Sequence, residues 1–201
     1  MLAAGAPGAR PLAAQSPVPA ASRLSDAGVY RAAARVDSVF ADHQSREQFV
    51  DGADFASYLV ARLGVHPVPD NLAIEVAVDS QAVRLRSRVQ DLPPEVKAAF
   101  GAPMMFVDPA SPVEADVVLH QASPGVARFH LASVSLNGFP IPEALLAPLL
   151  ADVGARYRAL TRTGRDLLVA IPEDGRLALE PGGIRVAMTP APTRVSKGDT
   201  Q

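Results

Sequence analysis

Leu72-Ala-Ile-Glu-Val-Ala-Val-Asp-Ser-Gln-Ala-Val-Arg-Leu-Arg-Ser-Arg-Val-Gln90 reads as two strands joined by a tight turn. Leu72, Ile74, Val76 and Val78 alternate with Ala73, Glu75 and Ala77, so one face is apolar and the other wet. Past the turn at Asp79-Ser80-Gln81, Val83, Leu85, Ser87 and Val89 alternate with Arg84, Arg86, Arg88 and Gln90 in the same way. A second pair follows over residues 113–121 and 126–137, around the turn Ser123-Pro124-Gly125. In its second strand Phe129 and Leu131 alternate against His130, Val134 and Leu136, which predicts an edge position or a bend. Short antiparallel connections of this kind predict an α+β fold rather than alternating strands and helices around a parallel sheet.

Outward from these hairpins lie the helices. Asp51 can cap a helix with Asp54 in its first turn, and Phe55, Tyr58, Leu59 and Leu63 form its apolar stripe before Gly64 stops it. Residues 24–45 fit either a helix, with Val29, Ala33, Val36 and Phe40 on one face, or a strand within 34–40. Pro93 and Pro94 open a short helix ending at Phe100 before Gly101, and the prolines of 102–112 predict a loop. The widest stripe is Leu145, Leu146, Leu149, Leu150, Val153, Tyr157 and Leu160, with Pro148 expected to kink that helix or delay its start. Two or three strands, over 167–171, 176–180 and 184–188, close the pattern, separated by Asp174-Gly175 and Pro181-Gly182-Gly183.

The domain therefore spans residues 25–189. Residues 1–24, rich in Ala, Pro and Gly without a period, read as a disordered leader or the remnant of a secretory signal, with Leu12-Ala13-Ala14-Gln15 resembling a cleavage region. The signal reading requires a start upstream of Met1, because no charged n-region or uninterrupted apolar run precedes that site. It predicts a periplasmic or secreted protein, while a cytoplasmic one stays compatible with the leader reading. Residues 190–201 read as a disordered polar tail. No stretch reaches the ~18 apolar residues of a transmembrane helix, which predicts a soluble or peripheral molecule.

Composition narrows the function. Among 201 residues, 19 basic and 21 acidic side chains leave a net charge of −2 with no segment of concentrated sign. Nucleic acid is therefore not an expected partner. The absence of cysteine removes thiol catalysis, zinc–thiolate sites and iron–sulfur clusters. With no tryptophan, seven Phe and three Tyr, few rings are available to stack on bases or sugars. No Gly-x-Ser-x-Gly elbow, Walker A loop or dinucleotide fingerprint is present, and no cofactor is expected.

Of the four histidines, His43, His66, His120 and His130, the last two lie on strands that should pair, with Glu114 and Asp116 nearby. The spacing matches no metal motif, and solvent-facing strand histidines are common, so no metal site is expected. A hydrolase would need His120 or His130 to meet carboxylates in a pocket. The stripe Arg84, Arg86 and Arg88 either meets anionic headgroups or pairs across strands with residues such as Glu75 and Asp79. These readings together predict a protein without catalytic residues.

The stretch Val134-Ser-Leu-Asn-Gly-Phe-Pro-Ile-Pro-Glu-Ala-Leu-Leu-Ala-Pro-Leu-Leu150, in which a strand ends in a Gly and Pro break and enters an amphipathic helix, resembles a passage in the LmeA-like bacterial exported lipid-binding proteins, related in shape to tubular lipid-binding domains. The later Ile171-Pro-Glu-Asp-Gly-Arg-Leu177 and the order of helix then hairpin over 54–92 are similar too. The chain lacks the Leu-Asn pair often seen in the family's first helix and adds the proline-rich loop at 102–112. The resemblance implies a curved antiparallel sheet packed on a long amphipathic helix, with two shorter helices, an apolar groove and no catalytic residues. Its expected ligand is a lipid or another apolar small molecule, with contact to a membrane surface. The candidate ligand-binding residues are then Leu131, Leu145, Leu146, Leu149, Leu150 and Val153. The alternative is a structural or protein-interaction module in which the same leucines are packed core.

Overall fold

Ser25 starts the first long element. Its side chain accepts a hydrogen bond from the Gly28 N–H, and Val29, Ala32, Val36 and Val39 follow at helical spacing as a buried face. In the computed structural model, which describes residues 22–69, 72–92, 94, 97, 107–157 and 159–189, this is helix α1 (Asp26–Phe40). It resolves the choice left open over residues 24–45. The short strand β1 (Ser22–Arg23) precedes it and pairs with residues 75 and 76, so the fold begins inside the segment expected to be leader. The helix expected at 93–100 falls almost wholly outside the described residues, the expected tail lies wholly outside them, and the expected proline loop is described from residue 107 onward.

Strand β2 (Glu47–Asp51) runs directly into α2 (Gly52–Arg62). The Asp51 carboxylate caps α2 as expected, accepting from the Ala53 N–H at 2.9 Å and the Asp54 N–H at 3.3 Å. The expected hairpins follow as β3 (Glu75–Val78) with β4 (Val83–Arg88), and β5 (Pro112–Ser123) with β6 (Val126–Leu136). After β7 (Phe139–Pro140) come α3 (Glu143–Arg156), β8 (Asp166–Ala170), β9 (Gly175–Glu180) and β10 (Gly183–Met188). Helix α3 neither starts late nor reaches Tyr157 as helix. Pro148 lies inside it, and Leu160 instead bridges to Leu167.

Among the described residues all pairings are antiparallel, and the fold is α+β with an open sheet and the three helices named above. The larger sheet runs β1-β3-β4-β5-β6-β7, with β8 beside the first half of β6. The smaller sheet is β2-β10-β9. Helices α1 and α2 pack on each other and on β10, and α2 also reaches β3. One buried cluster joins Val36 and Val39 of α1, Phe55 of α2, Phe129 of β6, Val169 of β8 and Ile184 of β10. A smaller one gathers Ala53, Val76, Val78 and Val83. Helices α1 and α2 thus each bury a full face, whereas α3 buries only Leu146 and Leu150.

The mixed pattern of β6 has a specific cause. Val117 pairs with Leu131 but Asp116 with Ser133, so Ala132 is an extra residue in a β-bulge. The bulge shifts the alternation by one. Phe129, Leu131, Val134 and Leu136 share one face, opposite Leu119, Val117, Ala115 and Val113.

Candidate functional site

The helical stripe of α2 does not close fully on the sheet beneath it. Phe55, Ala56, Leu59 and Val60, with Leu63 just beyond the helix, form one wall of an open cleft of about 210 Å³. Gly52 sets how near the helix comes, because a Cβ there would collide with Val78. The floor is a cross-strand row, Val83 opposite Val117 and Val117 opposite Leu131, with Phe129 opposite Leu167 beside it. The bulge at Ala132 lies just past this row and returns Val134 and Leu136 to the same face. Leu160, Gly164 and Arg165 close one end. A second cleft of about 230 Å³ lies between α1, α2 and β8, and Phe55 is the one described residue that lines both.

Of the six residues expected to line a groove, only Leu131 lines this cleft. Leu146 and Leu150 are buried elsewhere, Leu149 and Val153 are half-buried, and Leu145 is 63 % exposed. The physical reason is the turn after α3. Gly154 lies against the Thr161 carbonyl and Gly164 against the Leu150 carbonyl, so α3 packs on its own following turn and α2 takes the place over the cleft. A stripe with the helical period identifies a face that is buried, not the partner that buries it. The α2 stripe was legible as Phe55, Tyr58, Leu59 and Leu63. Its role in a cleft had a weak signal in the small residues Gly52 and Ala56 on the same helix.

The opposite face of the larger sheet is charge-paired. Arg84 meets Asp79 at 3.0 Å and Asp116 at 3.7 Å, and Arg86 donates to Glu114 through Nε at 2.8 Å. Glu75, expected as a partner of the stripe, instead meets Arg23 at 3.4 Å. The Asp79 carboxylate is held below the usual range by the Gln81 and Ala82 N–H groups and by Arg84. Two of the three stripe arginines are thus occupied across strands. A polar depression of about 430 Å³ lies beside Arg23, Arg86 and Arg88.

His130 pairs with Val118 and His120 with Arg128, so the two histidines share a face but stand diagonally rather than opposite. His130 Nδ1 lies 2.8 Å from Asp166 Oδ1, and Arg128 is 3.8 Å from the same oxygen. Neither histidine lines any of the three clefts described. His66 lies 3.2 Å from Asp26, and His43 sits in the turn after α1 with φ +52°. Among the described residues no group of three or more His, Asp or Glu gathers as a metal site would require, and no helix is long and apolar enough to cross a membrane.

Compared with known proteins, the chain matches no family model, no curated protein and no solved structure.

Proposed function

We propose that this is a non-catalytic binding protein that holds a lipid or another apolar small molecule between α2 and the larger sheet. The observation that carries the reading is the cleft itself, walled by aliphatic and aromatic side chains from α2, β4, β5, β6 and β8. Apolar surface in contact with water costs about 25 cal/mol per Å² relative to burial, so an apolar guest gains by displacing that water. The site is centred on the α2 ridge rather than the α3 leucines. The resemblance to LmeA-like exported proteins supports the same class. Together with the small residues at 12–15 it supports a periplasmic or secreted location and uptake of the ligand at a membrane surface.

The test is solvent extraction of the purified protein followed by mass spectrometry, with Nile red titration of the extracted sample. Copurifying lipid and saturable Nile red fluorescence are expected. Absence of both would sink the proposal.

One observation favours a second reading, a structural or protein-interaction module without a ligand. The cleft falls below the roughly 300–1,000 Å³ of ordinary small-molecule sites. That reading predicts no saturable uptake.

A further inference from the structure

The cleft has a single charged lining residue among those described, Arg165. Its placement follows from strand alternation. Asp166 points to the outer face, where it meets His130, and Leu167 points inward beside Phe129. Arg165 therefore lies on Leu167's side of the strand. The Arg165 backbone carbonyl accepts from the Leu131 N–H at 2.8 Å, which ties the residue to the floor of the cleft. The Arg165 side chain is 23 % exposed, and its guanidinium meets the carboxylate of Glu143, the first residue of α3, whose side chain is 64 % exposed.

We propose that the cleft takes a single-chain aliphatic carboxylate, with its chain along Phe55, Leu59 and Leu63 and its head on Arg165 in place of Glu143. The inference rests on the apolar-ligand reading above and names the ligand class. Four observations support it. A planar guanidinium presents paired N–H donors that match a carboxylate, and such charge-assisted contacts are strong where water is partly excluded. The cation already holds a carboxylate from its solvent side, so the exchange is like for like. The released Glu143 stays in the first turn of α3, where the helix dipole favours a negative charge. Finally, a volume of about 210 Å³ suits one chain better than the two tails of a phospholipid.

The experiment uses the full chain loaded with Nile red and compares displacement by dodecanoate and by dodecanol, which differ in the head alone. The wild type is expected to prefer dodecanoate by about tenfold, the value of one charge-assisted contact. Arg165→Gln should remove that preference, lowering dodecanoate affinity about tenfold more than dodecanol affinity. Glu143→Gln, a change on an exposed side chain, should raise dodecanoate affinity several-fold, which tests the idea even if the Arg165 variant fails to fold. Equal displacement by acid and alcohol in the wild type, with Nile red bound, would overturn the carboxylate inference while leaving the apolar cleft standing. Failure to bind Nile red at all would remove both.

Discussion

Arg31 grips Asp54 with two donors, Nε to Oδ2 at 2.8 Å and Nη2 to Oδ1 at 2.6 Å, across the contact between α1 and α2. The Asp54 side chain is 10 % exposed and that of Arg31 55 %. The hydrogen bond to Asp54 is also the main reason the Arg31 guanidinium is held above its ordinary pKa. Because the carboxylate is the more deeply placed partner, Arg31→Met leaves a nearly buried acceptor without its donors. A loss of about 1–2 kcal/mol is expected, after allowing for solvent screening of a half-exposed guanidinium. Urea unfolding measures it, and an unchanged midpoint would show that the pair contributes nothing.

The same helix contact reverses an ordinary rule at Gly28. Replacing a helical glycine by alanine normally stabilises by about 1 kcal/mol. Here the new Cβ would lie 2.8 Å from Asp54 Oδ1 and 3.1 Å from the hydroxyls of both Ser25 and Ser57. Ser57 is fully buried and already donates to the Ala53 carbonyl at 2.6 Å, so it has little room to yield. Gly28→Ala is expected to destabilise by about 1–3 kcal/mol, the usual range for overpacking. A higher thermal midpoint in this variant would refute the close approach.

Asp79 supplies a pH dependence. Its carboxylate accepts from the Gln81 N–H at 2.7 Å and the Ala82 N–H at 2.9 Å, and its pKa is lowered in the fold. A depressed folded pKa means the unfolded chain binds the proton more readily, so the contribution is present above the unfolded pKa of about 4 and fades as pH falls through the lower folded value. Asp79→Ala should therefore be less stable than wild type at neutral pH, and the gap should narrow in acid. A gap that stays constant from pH 7 down to strong acid would contradict this origin.

Filling the cleft separates binding from folding. Ala56 lines it from α2, and Ala56→Leu would place three extra carbons where a guest would lie. Nile red affinity is expected to fall about tenfold or more, a loss of at least 1.4 kcal/mol. The thermal midpoint should hold or rise, because the added side chain covers apolar surface. Unchanged affinity in a well-folded variant would place the probe elsewhere.

Much of this architecture was legible because short-range patterns caused it. The alternation over residues 72–90 is the β3–β4 hairpin, and Asp51 and Gly64 mark the ends of α2 as capping chemistry requires. What stayed hidden depends on partners distant in sequence. Strand β2 has one fully buried residue, Val50, beside the 40 % exposed Phe49, and becomes a strand by pairing with β10. The bulge at Ala132 could be sensed as mixed polarity but not located, since only the register of β5 reveals it. The leucines of α3 announced a buried face correctly for Leu146 and Leu150, yet nothing in their spacing says that α2 lies over the cleft. Arg165 carried no local mark, because its meaning comes from Leu131 beneath it and Glu143 beyond it.

The pairing of β2 with β10 sets Val50 opposite Ile184, joining segments from opposite ends of the described chain. During synthesis α1 and α2 therefore leave the ribosome long before the strand that covers them. Val36, Val39 and Phe55 complete their cluster only with Phe129, Val169, Ile184 and Val186, all of which are synthesised later. Closure over such a span slows folding and prolongs the exposure of apolar side chains.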